Sequence, residues 1–237
     1  MDLSEIKEIA AEHITEAKER CPVCGGTGYI EWTEDGYDYA KECECLTKER
    51  DKAKQDKYIA NSGLDGIFKT YNFKTYKVDD KATEGIKKAA LDYVDHFKNY
   101  WWFISGNSGC GKTHITSAIC KRLIDKGNRL YYMKWREEST RLKSLINDSR
   151  YAEEISKLKR VPVLYIDDFF KGAVTEADIK LAFEIINERY VNRMPTLFSS
   201  ERSINELAEI DEAIAGRINE RAQHYALNVK SIGNRRM

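Results

Sequence analysis

Gly106-Asn107-Ser108-Gly109-Cys110-Gly111-Lys112-Thr113 decides how this chain folds. The eight residues match G-x-x-x-x-G-K-[ST], and they stand between an apolar run, Tyr100–Ser105, and a helix-patterned stretch reaching about Lys126. Strand, glycine-rich loop and helix in that order make a phosphate-binding loop. The glycines let successive backbone N–H groups turn inward around an anion, and the helix N-terminus adds positive potential. Lys112 is placed to reach the β- and γ-phosphates of ATP or the phosphates of ADP. Thr113 offers a hydroxyl to Mg²⁺, an ion that takes few protein ligands. Cys110 sits at a variable loop position, so its backbone is expected to serve and its thiol to spectate. A glycine-rich turn that merely precedes a helix is the competing reading, and it leaves the order of elements unexplained.

Working outward, Val163-Leu164-Tyr165-Ile166-Asp167-Asp168 reads as an apolar strand that delivers two carboxylates at its C-terminal end, where open α/β sheets bind ligands. Asp167 is expected on the magnesium side and Asp168 beside the attacking water, although an acidic pair can also simply cap the next helix. Pro195–Glu201 brings Ser200 to the same edge, either to sense a γ-phosphate or to begin a helix as its cap. Tyr100–Ser105, Leu130–Met133, Val161–Ile166 and Thr196–Ser199 are short apolar runs separated by helix-like segments, the alternation of a parallel sheet. The fold class is therefore α/β.

With 237 residues the chain holds one sizeable core and a small appendage. Lys plus Arg and Asp plus Glu are 39 each, so any nucleic-acid contact must be a local patch. Lys134-Trp135-Arg136 lies in such a stretch, for residues 128 to 160 carry an excess of basic side chains; a solvated, ion-paired helix face is the alternative. No run approaches the roughly 20 apolar residues that span a bilayer, and Met1–Ala10 lacks a signal peptide's apolar centre, so a cytoplasmic protein with no membrane contact is expected. Asp2 and Glu5 open an amphipathic helix in which Ile6, Ile9, Ala10, Ile14 and Ala17 recur up to about Arg20. Cys21-x-x-Cys24 and Cys43-x-Cys45 then bracket a β-hairpin turning at Glu34–Gly36, which brings four thiolates together for a structural Zn²⁺. Redox chemistry or unligated thiols are the other readings. The charged stretch Thr47–Lys57 is a linker or an exposed helix.

From about Gly63 onward the chain resembles the AAA+ helicase-loader family, the DnaC-like and DnaI-like proteins, especially those carried by phages of Gram-positive bacteria. The segments that carry the resemblance are Ser105–His114, Tyr165–Gly172, Ile185–Glu201 with its Arg189-Tyr190, and Asp211–Arg221. The resemblance implies an ATPase that grips a hexameric replicative helicase and helps place it on single-stranded DNA. It implies self-association, with Arg217 or Arg221 reaching the neighbouring subunit's ATP, and His114 and Arg236 at the nucleotide. It also implies an AAA+ core without a C-terminal helical lid, and an N-terminal zinc module that holds the helicase. Residues 1–55 are then the module, 56–75 a connection and 76–237 the ATPase. Glu201 departs from the family pattern, which often has asparagine there. Two rivals stand beside this reading. One is a transposition helper ATPase of the IstB type, and the other a zinc-containing nucleic-acid adaptor that holds ATP structurally.

Overall fold

The structure, a computed structural model, describes residues 21–61, 64–230 and 232–233. The opening helix expected from Asp2 to Arg20 and the terminal Arg236 lie outside them. The chain divides into two compact units, residues 1–58 and 59–237.

In the first unit, β1 (Tyr29–Glu34) and β2 (Tyr37–Glu42) pair antiparallel, with Glu34 opposite Tyr37. The two residues between them, Asp35 and Gly36, both have positive φ, 51° and 81°. That geometry twists with the strands and makes the tight hairpin the sequence calls for. Trp32 faces Tyr39 across the ladder, and their rings stack 5.4 Å apart. The next element is α1 (Glu44–Asn61), so the charged Thr47–Lys57 stretch is helix. The connection expected over 56–75 likewise carries the end of α1 and a second helix, α2 (Leu64–Thr70).

The second unit is built on five parallel strands: β3 (Trp102–Ser105), β4 (Leu130–Lys134), β5 (Val163–Asp167), β6 (Thr196–Ser200) and β7 (Ala226–Asn228). They lie in the order β4-β5-β6-β3-β7. Its helices are α3 (Lys81–His96), α4 (Lys112–Asp125), α5 (Trp135–Ser144), α6 (Tyr151–Arg160), α7 (Glu176–Val191), α8 (Ile204–Ala208) and α9 (Glu212–Ala222). Every residue of β3, β5 and β6 is buried, because helices cover both faces. Alternate side chains divide between two cores. Trp102, Ile104 and Tyr165 cluster with Ile115 and Ile119 of α4, whereas Phe103, Leu164 and Phe198 cluster with Ile185 of α7 and Ile218 of α9. Each such side chain contributes about 1.5–3 kcal/mol through removal of apolar surface from water. Among the described residues no helix is long and apolar enough to cross a membrane.

Arg189 ties the end of α6 to α7 and β6. It is fully buried, and its guanidinium donates to the carbonyls of Leu158, Val161 and Pro195 and to the Thr196 hydroxyl at 2.6–2.9 Å. Burial lowers its pKa to about 9, so the group is still charged at neutral pH. The last carbonyls of α6, which a helix leaves unpaired, thereby find a donor from α7.

Candidate functional site: a phosphate loop and a thiol cluster

Because the strands are parallel, Ser105, Asp167 and Ser200 finish β3, β5 and β6 at one edge of the sheet, with β6 between the other two. The loop after β3 depends on its glycines. Gly109 and Gly111 have φ of 84° and 96°, conformations that L side chains rarely adopt. A Cβ on Gly106 would lie 2.8 Å from Val229 Cγ2 and 3.0 Å from its carbonyl carbon. Gly111 caps α4 without any side-chain hydrogen bond, which leaves the first-turn N–H groups to an anion. Lys112, only 5% exposed, donates Nζ to Gly106 O at 2.8 Å and Asn107 O at 2.9 Å, so its ammonium lies within the curve of the loop. The Cys110 side chain is buried beneath it.

Asp167 is enclosed by hydroxyls. Tyr165 donates to Oδ1 at 2.6 Å and Tyr132 to Oδ2 at 2.8 Å, Ser199 donates to Oδ1, and Thr113 Oγ1 is 3.2 Å from the same oxygen. Burial, reinforced by the Asp167 charge, holds both tyrosines far above the usual phenol range, so both stay protonated and donate to the carboxylate. The P-loop threonine and the strand-end aspartate therefore share one hydrogen bond. Oxygen ligands so placed suit a small hard cation such as Mg²⁺.

Asp168 follows with φ of 54°, and its N–H donates to Ser199 Oγ at 3.0 Å. Its carboxylate pairs with Lys171 Nζ at 3.0 Å, and the same ammonium lies 3.2 Å from Glu201. The expectation for Ser200 is corrected. Its hydroxyl turns to Phe169 O at 2.8 Å, so Ser199 is the serine that touches the carboxylate, and Ser203 is the residue that caps α8. Successive side chains alternate across a strand, so only one of two neighbouring serines can face the site.

A cleft of about 260 Å³ joins these groups. Ser108, Gly109, Lys112 and Thr113 line it on the loop side, and Asp168, Lys171 and Glu201 on the sheet side. Tyr71, Thr75 and Lys77 line it too, and sequence reasoning missed all three. His114 explains their presence: Nε2 lies 3.2 Å from both Thr75 Oγ1 and Asn72 O, and its ring packs on Tyr71 and Tyr76. The adjacency of a histidine to the motif was the one available hint.

Arg217 and Arg221 do not belong to this cleft. The Trp101 N–H donates to Arg221 O before β3 begins, so Arg221 sits about 16 Å, five strand residues, from the loop end. Arg217 is held by Asn187 Oδ1 and Ala213 O and lies over the rings of Phe183 and Tyr190. Arg221 Nε is buried with no hydrogen-bond partner among the described residues. Trp135 is corrected as a base-stacking residue. It is 3% exposed, wedged edge-on against Phe169 and Phe170. The surrounding basic charge is largely paired: Lys134 with Glu137, Arg141 with Glu138 and Glu154, Lys143 with Asp178, and Lys159 with Glu184. Arg136 is exposed.

In the first unit the sulfurs of Cys21, Cys24, Cys43 and Cys45 all lie within 4.8 Å of one another. Cys21 and Cys43 are 3.9 Å apart and Cys24 and Cys45 3.4 Å, which is not disulfide distance. Tetrahedral zinc with Zn–S of about 2.3 Å needs sulfurs about 3.8 Å apart, so the cluster fits that ion. Burial opposes the Cys24 thiolate, yet amide donors from Gly28 and Gly26 outweigh it and bring the thiol down to about 6.

A phosphate loop at one strand end, and a carboxylate at the end of the strand next but one, define a nucleotide-binding α/β protein of the P-loop class. The chain belongs to the IstB-like ATP binding protein family, whose pattern it matches over residues 35–236. Uncharacterized protein YqaM of Bacillus subtilis (strain 168) is 29% identical over 223 residues, covering 88% of this chain and 68% of that one. Phage-like element PBSX protein XkdC of the same organism is 27% identical, covering 89% and 82%. Replicative helicase loader DnaC of Escherichia coli (strain K12) is 25% identical over 171 residues, covering 70% and 69%. Among solved structures, the DnaC helicase loader has a TM-score of 0.63 at 22% identity, over 69% of this chain and 98% of that one. DnaI has 0.59 at 23%, over 69% and 92%. These structures share the α/β fold, which in this chain is built on a five-stranded parallel sheet.

Proposed function

We propose that this protein hydrolyses ATP to load a ring-shaped replicative helicase onto single-stranded DNA. One observation carries the chemical part: the Thr113 hydroxyl and the Asp167 carboxylate meet beside the Lys112 loop, where a nucleotide's metal would sit. With nucleotide bound, Lys112 would exchange its loop carbonyls for phosphate oxygens, and Thr113 and Asp167 would hold a Mg²⁺ ion, which would supply charge neutralisation at the phosphates. Asp168, on its left-handed backbone, orients the attacking water. Arg221 is the better candidate to reach a neighbouring subunit's phosphate, because Arg217 is already committed to Asn187 and two rings. Hydrolysis then requires assembly.

Likeness to a replicative helicase loader supports the loading role, and likeness to a phage-like element protein supports a phage origin. Zinc at the four cysteines would fold a small module, residues 1–55, that holds the helicase. The IstB-like family favours one other reading, a helper ATPase that partners a transposase. Affinity capture from the native host with Lys112→Ala in ATP separates them. Recovery of a hexameric helicase with single-stranded DNA supports the loader, and recovery of a transposase without helicase overturns it.

A further inference from the structure

The Lys171 ammonium contacts two carboxylates, Asp168 at 3.0 Å and Glu201 at 3.2 Å, at the end of the sheet that faces the phosphate loop. All three side chains line the same cleft as Ser108, Gly109 and Lys112. The geometry that puts the lysine there is costly and well anchored. Asp168 and Phe170 both have φ of 54°, so the chain doubles back after β5, and the Lys171 N–H closes the turn on Asp168 O at 3.1 Å. Phe169 and Phe170 are fully buried, with rings stacked 4.1 Å apart, and Trp135 packs against both. Arg202 donates Nε to Phe170 O at 3.1 Å and Nη2 to Gly172 O at 2.9 Å, bracing the turn from outside. Lys171 itself is 38% exposed on its side chain, so its ammonium meets the open space of the cleft from a turn that is braced on both sides.

We infer that Lys171 is the chain's own reader of the γ-phosphate, a specificity-determining cation that distinguishes nucleoside triphosphate from diphosphate. The inference rests on the nucleotide-site reading and extends it. With no third phosphate in reach, the ammonium stays between Asp168 and Glu201. When a γ-phosphate enters opposite Lys112, three oxygens of higher charge density draw the ammonium off the carboxylates, since charge-assisted bonds strengthen with the charge of the acceptor. Asp168 is thereby released to a water at the moment a substrate is present. Without the lysine, two carboxylates would face the γ-phosphate uncompensated, so the penalty falls on the triphosphate. A lysine that only held the turn would affect both nucleotides alike.

The test is calorimetric titration of the full chain, with Mg²⁺, by ADP and by a non-hydrolysable ATP analogue. Lys171→Met is expected to weaken the triphosphate analogue about tenfold or more while changing ADP less than about twofold, and Lys171→Arg is expected to keep most of the discrimination. An equal effect on both nucleotides, or no effect on either, overturns the inference while leaving the nucleotide site intact. Failure of the wild-type chain to bind either nucleotide overturns the site reading, and this inference with it. Should Lys171→Met fold poorly, Lys171→Arg decides, because loss of discrimination in that cation-retaining variant contradicts a role based on charge.

Discussion

Asp167 is legible in the sequence as a carboxylate at a strand end, but what surrounds it is not. Tyr132 and Tyr165 read as apolar rings in strand-patterned runs, and nothing in spacing tells where a phenol hydroxyl finishes. The structure aims both hydroxyls at the one carboxylate, and Ser199 and Thr113 add two more. Tyr165→Phe removes one of these donors and nothing else. It should lower stability by about 1 kcal/mol, seen by thermal unfolding, and raise the Mg²⁺ concentration needed for half-maximal ATP hydrolysis several-fold. An unchanged Mg²⁺ requirement would mean that the tyrosine is a bystander. Trp135 shows the opposite error. Beside two cations it looks like a base-stacking residue, whereas its ring fills the gap under Phe169 and Phe170. Charge next to an aromatic is a surface pattern only if the aromatic is on the surface.

Strands β3 to β6 were legible because burial on both faces demands continuous apolar runs, bounded here by loops of polar and charged residues. The fifth strand, Ala226–Asn228, is three residues long and has no pattern to detect; its pairing with β3 makes it a strand. Just past it, Lys230 pairs with Glu206 at 2.7 Å, and Glu206 also completes the capping box of α8 with Ser203. Lys230, then the Ser203 side chain and backbone, pull the Glu206 carboxyl down to about 2, from an ordinary value of 4.5. A folded pKa below the unfolded one gives stability that is present above pH 4.5 and lost as pH falls toward 2. Glu206 is 39% exposed, so solvent screening limits the gain to no more than about 1 kcal/mol. Glu206→Gln should therefore flatten the dependence of the unfolding temperature on pH between about 4.5 and 2, with little change at pH 2 itself. An equal loss for both proteins on acidification would assign that sensitivity to other carboxylates.

At the scale of the whole molecule, the sequence separates a cysteine-bracketed hairpin from a nucleotide-binding core, and the structure forms each as its own compact unit. What composition could not supply is the path of residues 71–77, which His114 ties to the phosphate loop through contacts between residues far apart in the chain. Removal of metal by a strong chelator should unfold the hairpin, with loss of the near-ultraviolet dichroism of the Trp32–Tyr39 stack, while nucleotide binding by the core persists. Loss of both together would mean that the two units fold as one. The central claim is that Gly106–Thr113 and Asp167 together hold a magnesium nucleotide. Its most direct measurement is calorimetric titration of Mg-ATP into the wild-type chain and into Lys112→Ala. The wild type should bind one equivalent, and affinity should fall about a hundredfold in the variant, as expected for losing a charge-assisted contact to two phosphates. Equal affinity in the two proteins would contradict it.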